Sequence, residues 1–392
     1  PLPDSGLTTR GTMVKRKNLP SLLDMVKSCG KEKDLLKLRS MHADMKPWIL
    51  EEIRVSNALI RAYGRCGASG LLEAQQLFDH LPCRTIVSWN ALIAGYVDNG
   101  FHAEALECFR RMEEDQGLIS PSAVTYGTVL KACAHIGSLE VGEKIHARIC
   151  DQGLLNHNLV LGTALIDMYA KCGALEKAHH VFNELPHRNV FGWSALISGY
   201  AKEGLGYEAL ECFRQMVDEG VSPNVVTYAC ILKACAAIGS LEIGEDIHAK
   251  VREQGLLKDN IILGTTLIDM YAKCGALQKA HKVFDELPKQ DVVAWSVLIA
   301  GYVEYGFCDQ AIKCFRQMEV EGVPPDTVTY VCILKACAAI RSLEIGEAIH
   351  AKMREQGLLK NSIVVGNAVI DMYAKCGALQ RACEVFDELP RR

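Results

Sequence analysis

The string Tyr-Ala-Lys-Cys-Gly-Ala-Leu occurs three times in the chain, beginning at Tyr169, Tyr271 and Tyr373, so that it repeats every 102 residues. A second string, Leu-Lys-Ala-Cys-Ala, has the same spacing and begins at Leu130, Leu232 and Leu334. Two independent strings that share one period indicate a repeat architecture, and such a repeat has to be recognised before any other feature is interpreted.

Each period contains three related units, which in the second period have 35, 36 and 31 residues. The units of the three periods are 86–122, 123–158 and 159–189; 190–224, 225–260 and 261–291; and 292–326, 327–362 and 363–392. Two diverged units, 19–52 and 53–85, precede them. The sequence therefore predicts an N-terminal pair of units (19–85) followed by three triplets (86–189, 190–291 and 292–392).

Each unit has the pattern of two antiparallel helices. In 159–189 a first set of apolar residues shares one helical face and ends at Gly173, and a second set ends before Pro186. One hairpin of this kind cannot bury both of its apolar faces, whereas stacked neighbours can. We therefore expect an all-α fold, a right-handed α-solenoid of about eleven helix–turn–helix repeats.

Composition limits the classes of function. The net charge is −4 and the pI is about 6.3, which excludes a broad basic surface that holds nucleic acid by counterion release alone. The apolar runs are too short to span a bilayer, so we expect no membrane partner. Residues 1–18 contain basic residues without an apolar signal core, and we expect a disordered leader there.

The chain has 17 cysteines, and many of them recur at equivalent positions of the repeat. Three such sets are Cys133, Cys235 and Cys337; Cys172, Cys274 and Cys376; and Cys108, Cys212 and Cys314. Each lies among Ala, Leu and Tyr, where a free cysteine behaves as a small core residue. The sequence predicts free thiols in a reducing compartment and no metal site.

Three strings identify the type of repeat. Val225-Val226-Thr227-Tyr228 enters a first helix, Glu-Ala-Leu-Glu-Cys-Phe-Arg-Gln-Met (208–216) forms a second, and Gly-Val-Ser-Pro-Asn (220–224) closes the unit. The Trp-x-x-Leu-Gly-x-x-Tyr pattern of tetratricopeptide repeats is absent. The strings closely resemble the pentatricopeptide repeat consensus, and the alternating unit lengths resemble the plant PLS subclass, with P, L and S motifs in that order. By this resemblance the N-terminal units 19–52 and 53–85 are diverged L and S motifs.

The resemblance covers residues 19–392 and implies sequence-specific binding of single-stranded RNA in a chloroplast or mitochondrion, usually in C-to-U editing. In this family the fifth and last residues of a motif read one base. An Asp acceptor suits the ring N–H of G or U, and an Asn amide suits the bare ring nitrogen of A or C. At the fifth position a small hydroxyl accompanies purines and Asn accompanies pyrimidines.

By this resemblance the P and S motifs contain six reading pairs. They are Asn57 with Thr85, Asn90 with Ser122, Thr163 with Asn189, Ser194 with Asn224, Thr265 with Asp291, and Ser296 with Asp326. Read 5′ to 3′, they imply a pyrimidine, C, A, A, G and G, with L motifs between some of them. Asn367 is the fifth residue of a last S motif that ends one residue before its second reader, as in a trimmed array. The close similarity of the triplets also fits a consensus-designed array.

Helix capping is the competing interpretation of these residues, because Ser, Thr, Asn and Asp are the usual N-caps. The fifth residues of the L motifs are Gly127, Ala229 and Val331, although their helices need starting as much as the others. This difference favours a base-reading role that is confined to the P and S motifs.

Two further positions fit a nucleic-acid groove. The second residue is apolar, and we expect it either to sandwich bases or to pack between repeats: Val87, Val160, Phe191, Ile262, Val293 and Val364. The thirteenth position has cations suited to phosphates: Arg65, Lys171, Lys202, Lys273 and Lys375. Asp98 and Glu304 occupy it in two P motifs, which weakens that assignment.

No motif predicts catalysis or a cofactor. His102-Ala103-Glu104 matches half of the zinc deaminase signature, but no Pro-Cys-x-x-Cys follows, so a deaminase domain would be supplied elsewhere. The L motifs repeat Ser-Leu-Glu-x-Gly-Glu at Ser138, Ser240 and Ser342, and the resemblance implies a multiple organellar RNA editing factor as their protein partner. A protein-interaction scaffold with no RNA role is the alternative function.

Overall fold

A computed structural model describes residues 19–49, 52–115, 119–155, 158–258, 260–358 and 362–389. Within these ranges the chain has 22 α-helices and no strand. The helices form eleven hairpins, one in each unit, so the predicted all-α helical-repeat solenoid of about eleven repeats is confirmed. The leader predicted for residues 1–18 lies outside the described residues.

The helices are numbered in chain order. The first eleven are α1 (Leu19–Glu32), α2 (Leu35–Ile49), α3 (Ile53–Gly64), α4 (Ala68–Asp79), α5 (Ile86–Asp98), α6 (His102–Glu114), α7 (Ala123–Ile136), α8 (Leu139–Asp151), α9 (Leu159–Lys171), α10 (Leu175–Glu184) and α11 (Val190–Lys202). The others are α12 (Gly206–Asp218), α13 (Val225–Ile238), α14 (Leu241–Glu253), α15 (Ile261–Lys273), α16 (Leu277–Glu286), α17 (Val292–Glu304), α18 (Cys308–Val320), α19 (Thr327–Ile340), α20 (Leu343–Glu355), α21 (Ile363–Lys375) and α22 (Leu379–Glu388).

The chain divides into two compact units, Pro1–Gly199 and Tyr200–Arg392. Within each unit the first helices of successive hairpins pack side by side, as α5, α7 and α9 do in the first unit. Second helices pack against the first helix of their own hairpin and against the first helix of the next, as α8 does against α7 and α9. Each unit therefore has a layer of first helices and a layer of second helices.

Aromatic pairs form the core between α4 and α5, between α10 and α11, and between α16 and α17, where a unit that resembles an S motif precedes one that resembles a P motif. A Phe of the S motif's second helix meets the edge or face of a Trp on the P motif's first helix, with ring centroids 4.4 to 4.5 Å apart and the planes steeply inclined. The pairs are Phe78 with Trp89, Phe182 with Trp193, and Phe284 with Trp295. All six side chains are buried. Such pairs contribute about 0.5–1.5 kcal/mol beyond the area that they bury.

Most of the recurring cysteines lie in the core, as predicted. Cys133, Cys235 and Cys337 are fully buried, and burial raises the pKa of each thiol to about 12. Cys108, Cys212 and Cys314 are buried as well, whereas Cys172, Cys274 and Cys376 are half-buried at the ends of their helices. A thiol with a raised pKa is a poor nucleophile and a poor metal ligand, which suits a packing role.

The first helix of each L motif ends in the left-handed backbone region. Gly137 and Gly239 close two of these helices with φ of 76° and 69°, but Arg341 occupies the equivalent position with φ of 54°. Because a side chain is strained there, we expect Arg341→Gly to raise the free energy of unfolding by about 1 kcal/mol. Urea denaturation of the full chain measures this change. Gly239→Arg is the matched reverse substitution and is expected to lower the free energy of unfolding by a similar amount. A Gly239→Arg protein more stable than the wild type would contradict this expectation.

Candidate nucleic-acid interface

The second residue of each motif from 86 onward is apolar and exposed, and within each compact unit these residues form an apolar stripe on the layer of first helices. The predicted members of the stripe, Val87, Val160, Phe191, Ile262, Val293 and Val364, expose 51% to 79% of their surface. The alternative prediction, that the second residue packs between repeats, is therefore wrong. The L motifs continue the stripe with Val124, Val226 and Val328, which are equally exposed and were not among the predicted residues. Their apolar character at the same position was the available signal.

The last residues of the P and S motifs cap the helices that follow them. Thr85, Ser122 and Asn224 form capping boxes with Ser88, Thr125 and Thr227. Asn189, Asp291 and Asp326 accept hydrogen bonds at Oδ1 from the backbone N–H of Gly192, Ala294 and Thr329, at 2.8 to 2.9 Å. The competing prediction of helix capping is thus correct for the last residue of each predicted pair.

These caps orient the side chains without using every polar atom. In Asn189 and Asp291 the helix N-terminus holds Oδ1, and within the described residues the other terminal atom forms no hydrogen bond. That atom is Nδ2, a donor, in Asn189 and Oδ2, an acceptor, in Asp291. Asn and Asp at this position therefore share one orientation and differ in the polarity of a single fixed atom.

The fifth residues lie one turn inside the first helix and do not cap it. The hydroxyls of Thr163, Ser194, Thr265 and Ser296 each donate to the backbone carbonyl four residues earlier, at 2.7 to 2.8 Å. The two serines are buried, and the threonines are half-buried. Asn57 and Asn90 are half-buried and Asn367 is exposed. Helix initiation therefore does not explain why the L motifs lack a polar fifth residue.

The structure joins two of the predicted pairs. Ser296 Oγ lies 3.3 Å from Asp326 Oδ1, and Thr329 Oγ1 contacts both side chains. Asn90 Oδ1 accepts from Thr125 Oγ1 at 2.7 Å, and Thr125 in turn bonds Ser122. For Asn57 with Thr85, Thr163 with Asn189, and Thr265 with Asp291, no direct hydrogen bond joins the described side chains. Ser194 and Asn224 belong to different compact units.

The predicted phosphate-binding residues are largely neutralised. Lys171, Lys273 and Lys375 are exposed, and each lies 2.8 Å from an Asp four residues earlier on its own helix, namely Asp167, Asp269 and Asp371. The spacing of four was visible in the sequence and predicts such pairs on a helix. Arg65 and Lys202 are exposed, and no carboxylate in the described ranges pairs with them.

Family models recognise this repeated hairpin. A model described as "PPR repeat family" matches residues 84–135, 188–237 and 290–339, and one described as "PPR repeat" matches 163–190, 265–292 and 367–392. Together these stretches cover more than half of the chain. The chain belongs to the pentatricopeptide repeat family.

The relatives of this pentatricopeptide repeat chain include organellar proteins of Arabidopsis thaliana. A chloroplastic pentatricopeptide repeat-containing protein is 34% identical over 93% of this chain and 58% of its own length. A mitochondrial one is 35% identical over 94% of this chain and 35% of its own length. These locations agree with the organellar localisation that the sequence predicts. The chain spans about a third to three fifths of the length of these relatives.

Solved pentatricopeptide repeat proteins have the same fold. The crystal structure of PPR10 in complex with an 18-nt psaJ RNA element has a TM-score of 0.73 and 19% sequence identity, covering 98% of this chain and 58% of that one. The crystal structure of PPR10 from maize has a TM-score of 0.53 and 20% identity, covering 94% of this chain and 58% of that one. At this level of identity the similarity establishes the fold.

Histidines on α8, α14 and α20 serve the packing of this pentatricopeptide repeat array. His146, His248 and His350 each bond through Nδ1 to the hydroxyl of Tyr169, Tyr271 or Tyr373, at 2.8 to 2.9 Å. Burial lowers the pKa of all three histidines. In the described ranges no cluster of His, Cys, Asp or Glu could hold a metal ion. None of the described helices combines the length and the apolar character that crossing a bilayer requires.

Proposed function

We propose that this chain binds single-stranded RNA by sequence, with one base for each P or S motif, as the recognition module of an organellar C-to-U editing factor. The observation that carries the proposal is the cap geometry of Asn189, Asn224, Asp291 and Asp326. A helix N-terminus holds one oxygen of each side chain, so the remaining atom can face a base with a defined polarity.

The fifth residues supply the second half of the recognition. The side chains of Ser194 and Ser296 are small, which suits a two-ring base, whereas the longer Asn90 side chain suits a one-ring base. The pairs then specify a pyrimidine, C, A, A, G and G in the 5′ to 3′ direction. Asn367, as the fifth residue of the last S motif, would contribute to reading a further base.

The exposed apolar stripe supports the same function. Apolar side chains between successive bases contribute about 1–3 kcal/mol per base in stacking sites, and one lies in every motif from 86 onward. A net charge of −4 and the Lys–Asp pairs leave little bulk attraction for phosphates. Affinity therefore rests mainly on base contacts, and this favours selective over general RNA binding.

Catalysis and assembly belong to other components in this proposal. A deaminase domain or protein outside this sequence would supply the C-to-U reaction, because the chain has only the His102-Ala103-Glu104 half of a zinc deaminase signature. The L motifs would bind a multiple organellar RNA editing factor. The place of action would be the chloroplast or the mitochondrion.

Titration of the full chain with fluorescent RNA tests the function. One RNA contains the adenine pair and the guanine pair in the proposed order, and the other has the same composition scrambled. Because each mismatched base costs about 1–3 kcal/mol in nucleic-acid recognition, we expect the first to bind at least about tenfold more tightly. Equal binding to both RNAs would contradict base reading. No binding to either RNA would favour the interaction scaffold.

A further inference from the structure

The ninth residue of the three triplet L motifs is a lysine. Lys131, Lys233 and Lys335 come four residues after the fifth positions of their helices, so they lie one turn along the same face. All three are exposed. Across the described part of the chain, no carboxylate pairs with any of these ammonium groups. The first-helix layer thus carries one unpaired cation in each triplet at this position.

The other motif classes differ at the ninth residue. The triplet S motifs have Asp167, Asp269 and Asp371 there, each occupied by the lysine at the thirteenth position. The triplet P motifs have the small residues Ala94, Ser198 and Ala300. Among the motifs of the three triplets, only the L motifs therefore add a net positive charge to this face at its ninth position.

Two other positions of the L motif suit a contact with RNA that does not depend on the identity of the base. Gly127, Ala229 and Val331 at the fifth position have no side-chain donor or acceptor, so no hydrogen bond from that side chain can distinguish one base from another. The second residue of each L motif is nevertheless an exposed valine, as in the reading motifs. A nucleotide could be held there between apolar side chains without being read.

We propose that Lys131, Lys233 and Lys335 bind RNA phosphates and make the L motifs sequence-independent anchors between the reading pairs; this rests on the RNA binding proposed above. An ammonium is a compact point charge that suits a phosphate, and phosphate contacts fix register without specifying sequence. The S-motif lysines are poorer anchors because a carboxylate already neutralises each of them. The three L-motif lysines explain how a chain of net charge −4 attracts a polyanion.

The test compares two triple variants of the full chain. The first is Lys131→Ala, Lys233→Ala and Lys335→Ala. The second removes the same charge from the second helices of the same motifs: Lys144→Ala, Lys250→Ala and Lys352→Ala. Each is titrated with the ordered and the scrambled RNA at several salt concentrations, after circular dichroism has shown unchanged helix content and thermal midpoint. A triple Lys→Arg variant at 131, 233 and 335 retains the charge.

We expect the first variant to reduce the slope of log affinity against log salt by about 2, that is about 0.7 for each lost phosphate contact. Both RNAs should weaken by the same factor, so that selectivity is unchanged, and the arginine variant should keep the wild-type slope. An equal slope change in the second variant would overturn the inference in favour of long-range net charge. An unchanged slope in the first variant, or altered selectivity, would also overturn it. Wild-type protein that binds no RNA would overturn the proposed function and this inference together.

Discussion

Asp291→Asn combined with Asp326→Asn is expected to convert a preference for two guanines into a preference for two adenines. Asp and Asn are equivalent N-caps, so the bonds from the backbone N–H groups of Ala294 and Thr329 to Oδ1 should remain. Only the outward atom changes, from an acceptor to a donor. A donor that faces the ring N–H of guanine leaves both groups unpaired, at a cost of about 1–3 kcal/mol per position.

The measurement is the affinity ratio of two RNAs that differ only in the guanine pair or its adenine replacement. The ratio should change by roughly tenfold or more for each position and should reverse in the double variant. The chain also contains the reciprocal control, because Asn189→Asp with Asn224→Asp should convert the adenine preference into a guanine preference. Equal weakening of both RNAs without reversal would show that these residues only cap helices.

Trp295→Ala is expected to lower the free energy of unfolding by roughly 3–5 kcal/mol, the usual cost of truncating a buried aromatic side chain. Trp295 is buried against Phe284, with ring centroids 4.4 Å apart, where an S motif meets a P motif. In a repeat protein each repeat is stabilised by its neighbours, so the loss falls on an interface that couples two hairpins. Urea denaturation should show a lower midpoint or a second transition.

Val293→Ala is the matched control because it lies two residues earlier on the same helix but is exposed. Its free energy of unfolding should stay within about 0.5 kcal/mol of the wild type, as for most surface substitutions. Its affinity for RNA should fall by the same factor for ordered and scrambled sequences, since an apolar sandwich is insensitive to base identity. A Val293→Ala protein destabilised as much as Trp295→Ala would identify the stripe as packing surface.

Local features of the sequence predicted the array itself. The 102-residue period, the apolar spacing of Leu, Ala and Tyr, and the Gly and Pro residues at helix ends all act within one hairpin or its neighbour. For this reason a solenoid of about eleven helical hairpins could be predicted from the sequence. The Asp167–Lys171 pair is equally local; it was not predicted, although the spacing rule for helices would have been enough to find it.

Tertiary structure decided which of two local interpretations holds at each candidate position. Whether Val160 or Ile262 is buried depends on which face of a first helix the second helices cover, and packing along the solenoid determines that. Ser296 meets Asp326 across 30 residues because adjacent first helices bring them together. The sequence by itself therefore determined the repeat, the helices and the set of candidate residues. Only the stacking of hairpins decided which apolar side chains stay exposed, because burial depends on neighbours that are distant in the chain.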